Sequence, residues 1–298
     1  MPPERRLADR HFLGDLGMEA EVLSESEATV RIKAVPEVLG PDGGVRIGVV
    51  AVLVDVVGGT AAMRTVEPDW MATADLTVQM AEPARGPFVE ARATVLRKGR
   101  TTLVVEATVV DVESGEPGRF EGGGTPVGWA SMTFAVLPGR TGESMSRFGS
   151  ELPLHWSMGE PLMDAPAEEV LGARVEDAAR GVVSLSVQDY LRNSFGAVQG
   201  GVMALLAEVS AVAMVAEARG SAAVPVATDL HVAYLALGRV GPIVTRSKLL
   251  GAGSERTPGS VVVELTDEGA DGRLTTLVDV GVGSCVPVGT APAPMGGS

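Results

Sequence analysis

The sequence predicts an α+β protein made of two copies of one unit, each a long apolar helix against an antiparallel sheet. Three observations carry this. The stretch Asn193–Glu208 (N-S-F-G-A-V-Q-G-G-V-M-A-L-L-A-E) joins a polar, glycine-rich turn to an Ala/Leu/Met helix that continues through Ala211, Met214 and Ala218. The order strand–strand–helix–strand–strand–strand–strand occurs twice, and a repeat of that length outweighs either copy read alone. Placing Asp55 on Glu208 aligns the copies at an offset of 153 residues. Gly43 then falls on Gly196 and Gly48 on Gly201, and after a one-residue gap Ala74-Asp75-Leu76 falls on Thr228-Asp229-Leu230.

Taken in order, residues 1–16 read as a charged lead-in. Residues 18–34 alternate as two strands with a turn at Ser24–Glu27. The turn G-P-D-G-G at 40–44 precedes Val45–Met63, whose valines favour a strand but whose length favours a helix. Its place opposite the 199–218 helix decides for a helix buried nearly all round. Strands follow at 73–80, 88–97, 101–111 and 127–137, with a glycine-rich insertion at 121–124. In the second copy strands are expected at 169–176, 181–188, 227–235, 242–250, 259–267 and 274–284. The resulting boundaries are a first unit at 10–138, a linker at 139–167, a second unit at 168–287 and a disordered tail at 288–298.

Composition excludes several classes. A net charge of −14 argues against a nucleic-acid surface, and 4% aromatic residues give little to stack bases on. Three separated histidines (His11, His155, His231) and one cysteine, Cys285, offer no metal-ligand spacing and no internal disulfide. The charged N-terminus has no signal-peptide pattern, and no apolar run is read as a membrane span, so a cytoplasmic protein is expected. The adjacent glycines at 200 and 201 leave helix-start N–H groups open to an acceptor. A lone carboxylate such as Glu208 within an apolar helix is costly unless its surroundings use it.

The pattern N-x-x-G-x-x-[H/Q]-G-G, with an acidic helix residue fifteen positions after the Asn, resembles the hotdog-fold acyl-CoA thioesterases. The nearest group is the phenylacetate-pathway and 4-hydroxybenzoyl-CoA type. The segments T-A-D-L-T-V-Q-M, A-R-G and K-G-R fit the same family, and the resemblance spans roughly 18–137 and 169–285. It implies a double hotdog, in which two fused copies stand in for the usual homodimer. It also implies hydrolysis of an acyl-CoA, without cofactor or metal, at the interface between the copies.

Carried over residue by residue, the resemblance implies two unequal sites. One joins Asn193, Gln199 and Gly200 of the second copy to Asp55 and Thr73 of the first, with Asp55 and Thr73 eighteen residues apart. Gly200 N–H would hold the oxyanion and Asp55 would act as base or nucleophile, with Asn193 orienting the water or carboxylate and Thr73 holding the water. The other joins Glu208 to Gly40, Arg46, Ile47 and Ala227 (Thr228 beside it), where only the carboxylate survives. Glu208 is kept among the catalytic candidates, because loss of activity on its mutation would reverse the assignment. Gly201, Arg97, Lys98 and Arg100 are candidates for substrate binding, with Arg246, Lys248 and Arg256 as second-copy counterparts. Glutamine at the usual histidine position leaves a non-catalytic acyl-ligand binding protein as the alternative. A hotdog dehydratase is disfavoured because neither helix region contains histidine. A homodimer of double hotdogs is the expected assembly.

Overall fold

A computed structural model describes residues 10–113, 120, 123–137, 151–220, 224–251, 253 and 258–285. The expected tail at 288–298 and residues 139–150 of the expected linker lie outside the described residues. The first half comprises α1 (Phe12–Asp15), β1 (Glu19–Val22), β2 (Glu27–Lys33), α2 (Ile47–Val66), β3 (Trp70–Met80), β4 (Phe88–Lys98), β5 (Thr102–Val112) and β6 (Thr125–Leu137). After β7 (Leu154–Ser157), the second half repeats the order. It comprises α3 (Ala167–Leu171), β8 (Arg174–Asp177), β9 (Val182–Leu185), α4 (Gly200–Arg219), β10 (Val224–Tyr234), β11 (Ile243–Gly251), β12 (Gly259–Asp267) and β13 (Arg273–Cys285).

The strands form one antiparallel sheet in the order β7-β1-β2-β4-β5-β6-β3-β10-β13-β12-β11-β9-β8. β3 and β10 join the halves, with Val78 opposite Leu230, Thr77 opposite His231 and Leu76 opposite Val232. Strands such as β5 alternate buried and part-buried residues, as expected for a sheet with one face on a core. The sheet wraps α2 and α4, which also pack on each other. This resolves the valine-rich segment. Ile47, Val49, Val50, Val52, Leu53, Val54 and Val57 are all buried, because α2 meets sheet on one side and α4 on the other. A helix enclosed in this way is apolar all round, and tertiary burial overrides the strand preference of valine.

Two glycines set the distance between the helices. A Cβ on Gly48 would lie 2.6 Å from the Leu205 Cα, and one on Gly201 would overlap the Val52 Cα. Both pairs obey the offset of 153 residues, so they are mates across an approximate two-fold axis. By length and composition both helices, each of 20 residues, are apolar enough to cross a membrane, contrary to the expectation that no run reaches that length. In the most apolar window 72% of α2 and 67% of α4 is buried inside the protein, so their apolar surface serves the core.

Three further expectations need correction. Part of the charged lead-in is core: α1 buries Phe12 and Leu13, and Leu16 follows it inside. Part of the linker is sheet: β7 pairs with β1, placing Trp156 opposite Ala20. The strand expected at 169–176 is instead the end of α3 followed by β8. In the first two a short apolar segment between polar neighbours carries too few residues to show a period; in the third Gly172, with φ +75°, ends α3 within the expected strand.

Candidate active site

The turn before α4 is built from local hydrogen bonds. Asn193 N–H donates to the Ala197 carbonyl at 2.7 Å, and Gly196 N–H donates to the Asn193 carbonyl at 2.9 Å. Gly196 has φ +71°, which glycine adopts without steric cost. The Asn193 Oδ1 accepts from the N–H groups of Phe195 (3.0 Å) and Ala197 (3.2 Å). With that oxygen holding the turn, the side-chain NH2 is what Asn193 can offer a ligand. The first half closes its turn the same way, Gly40 N–H to the Gly44 carbonyl, with φ +76° at Gly43. There Gly40 has no side chain, and Asp42 Oδ1 accepts the Gly44 N–H instead.

Asp55 lies across the helix interface from this turn. Its Oδ1 accepts the Thr73 hydroxyl at 2.8 Å and its Oδ2 accepts the Gly201 N–H at 3.3 Å. Thr73 reaches it from a bulge in β3 between Thr73 and Asp75; bulges re-aim side chains in this way. Burial raises the Asp55 pKa above the ordinary carboxylate value, and the bonds from Thr73 and Gly201 oppose that only in part. The Gly200 N–H, first in α4, has no hydrogen-bond partner among the described residues. It stands at the positive end of the helix dipole.

These groups share one cavity of about 620 Å³, lined by Asp55, Thr73, Asn193, Gln199 and Gly200. Gln199 is the N-cap residue of α4, but its side chain does not cap the helix. The remaining wall is mostly apolar, including Met63, Val66, Trp70, Phe134, Met158 and Leu237. Trp70 and Phe195, both in the wall, meet edge-to-face with ring centroids 5.3 Å apart. Both halves therefore contribute to one chamber. So do two segments read from sequence as lead-in and linker: His11, Leu13 and Met158 line it. His11 Nδ1 accepts the Leu13 N–H (3.2 Å), so its Nε2–H donates to the Arg192 carbonyl (2.8 Å) and fastens α1 to the turn. Tyr234, also in the wall, had no assigned role in the sequence reading. Its alternation with Leu230 and Val232 was the available sign that it points inward.

Glu208 occupies a separate, smaller pocket of about 270 Å³. Its Oε2 accepts the Gly48 N–H at 3.0 Å, the two-fold counterpart of Asp55 with Gly201. Around it stand Gly40, Arg46, Ile47, Ala227 and Thr228. Arg46 lies 3.4 Å from Glu208 and 2.5 Å from Glu168. Burial tends to lower the Arg46 pKa, but Glu208 and Glu168 together raise it. For Glu208 burial outweighs Arg46 and the pKa is raised; the guanidinium is shared with a second carboxylate, Glu168. Thr228 donates to Asp229 (3.0 Å) rather than to Glu208.

The structure does not bring the basic candidates to the cavity wall. Arg97, Lys98 and Arg100 lie at the β4–β5 hairpin, and Lys98 Nζ donates to the Thr65 carbonyl at 2.6 Å near the end of α2. Arg246 pairs with Glu268 at 3.0 Å, Lys248 lies on β11, and Arg256 is outside the described residues. Gly201 is committed elsewhere: its N–H serves Asp55 and its open Cα face receives α2.

Residues 45–117, from the start of α2 through β5, match the model of the thioesterase superfamily. A solved protein of unknown function from Alicyclobacillus acidocaldarius, described as having a hot dog fold, superposes with a TM-score of 0.53 at 16% identity, covering 90% of this chain and 96% of that one. The fold is the hotdog. Two further matches extend over the whole of the other chain. A tesB protein from Mycobacterium avium subs paratuberculosis gives a TM-score of 0.55 at 14% identity, over 94% of this chain and all (100%) of the other. An acyl-ACP thioesterase from Bacteroides thetaiotaomicron gives 0.52 at 14% identity, over 87% and 100% respectively. Among curated proteins none matches the chain.

Proposed function

We propose that this hotdog protein hydrolyses an acyl-CoA to free acid and CoA at the Asp55 site between its two halves. One observation carries the reading: a buried carboxylate, held by Thr73 and Gly201, opens on an apolar cavity beside the unpartnered N–H of Gly200. A thioester carbonyl bound at that N–H gains a hydrogen bond that strengthens as negative charge develops on its oxygen. Asp55 then takes a proton from the attacking water, or attacks the carbonyl itself to give a mixed anhydride that water opens. In both routes the carbon–sulfur bond breaks and CoA leaves as the thiol. Gln199 and the Asn193 amide face the same space and are assigned to orienting water. The apolar wall suits an aliphatic or small aromatic acyl group.

The turn pattern further supports the phenylacetate-pathway or 4-hydroxybenzoyl-CoA type, and the single cysteine supports a cytoplasmic setting. The test is free-thiol release from a panel of acyl-CoAs. Asp55→Asn is expected to lower kcat by about 100-fold or more, while Glu208→Gln, whose carboxylate is occupied by Gly48 and Arg46, retains activity. Loss with Glu208→Gln alone would move the site to the smaller pocket. Ligand binding without turnover across the panel would replace hydrolysis by the binding function. Single turnover in isotopically labelled water, followed by mass analysis of the Asp55 peptide, separates the base route from the anhydride route.

A further inference from the structure

Tyr234 ends β10 and its ring forms part of the cavity wall. Its hydroxyl is buried and has no hydrogen-bond partner among the described residues. A buried hydroxyl left unpaired costs free energy that phenylalanine would avoid, because Phe fills nearly the same space. The position of this one is specific. The Cβ that Gly200 lacks would sit 3.1 Å from Tyr234 Oη and 2.9 Å from Asp55 Oδ2. Hydroxyl and carboxylate therefore stand no more than 6.0 Å apart, on either side of the opening that glycine leaves at the start of α4.

The repeat adds an independent observation. Across the strands the copies run 154 residues apart, which puts Met80 at the Tyr234 position of the smaller pocket. The hydroxyl is thus present in the chamber that has Asn193, Gln199, Gly200 and Thr73. It is absent from the one that has Gly40, Arg46, Ile47 and Ala227 in their places.

We infer that Tyr234 is a second catalytic hydrogen-bond donor, placed to hold the thioester carbonyl oxygen together with the Gly200 N–H. This rests on the proposed hydrolysis. The phenol donates a hydrogen bond and keeps its proton. Burial, with Asp55 and Asp75 nearby, holds its pKa well above the ordinary value, so the donor form persists at neutral pH. As the carbonyl carbon becomes tetrahedral, its oxygen gains charge and both donors strengthen. No proton moves through Tyr234.

The test is Tyr234→Phe, which removes one oxygen. With hexanoyl-CoA, kcat is expected to fall about 100-fold, the cost of one oxyanion donor, with KM little changed. The thermal midpoint should be unchanged or higher, since an unpaired hydroxyl has gone. An unchanged kcat would make Tyr234 a packing residue and overturn the inference. A second measurement does not depend on turnover. Affinities are measured for a ketone analogue of hexanoyl-CoA, with a methylene between carbonyl and sulfur, and for S-heptyl-CoA, which lacks the carbonyl. Tyr234→Phe should weaken the ketone about tenfold, the worth of one such hydrogen bond, and leave S-heptyl-CoA unaffected. Equal loss on both probes, or none on the ketone, overturns the inference even in a variant whose folding has changed. Absence of hydrolysis by the unmodified protein counts against the proposed function instead, and the analogue pair still decides on Tyr234.

Discussion

At the residue scale, the role proposed for Asp55 combines two demands that conflict. A general base or nucleophile must be ionised, yet burial in the cavity wall favours the neutral acid and raises its pKa. The acid limb of kcat/KM against pH should therefore lie above the ordinary aspartate value of about 3.9. A limb at or below that value would mean that another group controls the reaction. The same shift makes a stability prediction. Because the folded-state pKa is above the unfolded one, the stabilisation by neutral Asp55 is complete below the unfolded pKa. It is lost as pH rises through the folded value. Asp55→Asn cannot ionise, so it should match the parent in denaturant midpoint at low pH and exceed it at neutral pH. The variant would be less active and more stable, as expected where a site is held at the expense of the fold.

At the element scale, the crossing of α2 and α4 fixes the geometry of the proposed site, because the N–H groups in the first turn of each helix face the other's carboxylate. Gly48 and Gly201 allow the approach, and a methyl on either meets the backbone of the opposite helix. Gly201→Ala and Gly48→Ala should each destabilise by about 1–3 kcal/mol, the usual cost of overpacking, measured by urea denaturation. Gly59 is the contrast on the same helix. It lines the cavity and nothing lies within 4 Å of its absent Cβ. Gly59→Ala should stabilise by about 0.5–1 kcal/mol, the usual helix penalty of glycine. A stable Gly201→Ala variant would show that the helices can part, and the link between helix spacing and the Asp55–Gly201 bond would fail.

At the scale of the whole molecule, neither half by itself contains the proposed site. The first supplies Asp55 and Thr73, and the second supplies Asn193, Gln199, Gly200 and Tyr234. The halves share the β3–β10 seam, the α2–α4 contact and one hydrophobic core. If the covalent connection serves only to keep them together, a chain cut between residues 138 and 150 should still assemble when both pieces are co-expressed. The pieces should elute together on size exclusion and hydrolyse thioester, while either piece alone should associate or precipitate through its uncovered helix. Recovery of activity from one piece alone would show that a half can build a site with its own copy. Two copies in one chain have another consequence: each pocket can diverge by itself, and the Glu208 pocket now holds the Arg46–Glu168 pair.

Much of this was legible in the chain itself. The repeat determined two helices wrapped by antiparallel sheet, because burial patterns survive at fixed spacing even where valine misleads locally. The spacing also singled out Asp55, Thr73, Asn193, Gln199 and Gly200, which tertiary structure brings to one cavity. Short segments were not legible: α1 and β7 carry too few residues for a period, so the place of Leu13 in α1 and of Met158 just after β7 in the cavity wall depends on contacts far apart in sequence. The basic cluster at Arg97–Arg100 showed charge but not direction. Tyr234 showed direction but not partner. A strand's alternation tells which face a side chain takes, whereas the emptiness around its hydroxyl depends on Gly200, supplied by a different element. Sequence thus determined the two-fold plan and the candidate groups; only the packing of one half on the other decided which carboxylate faces an open cavity and which faces an arginine.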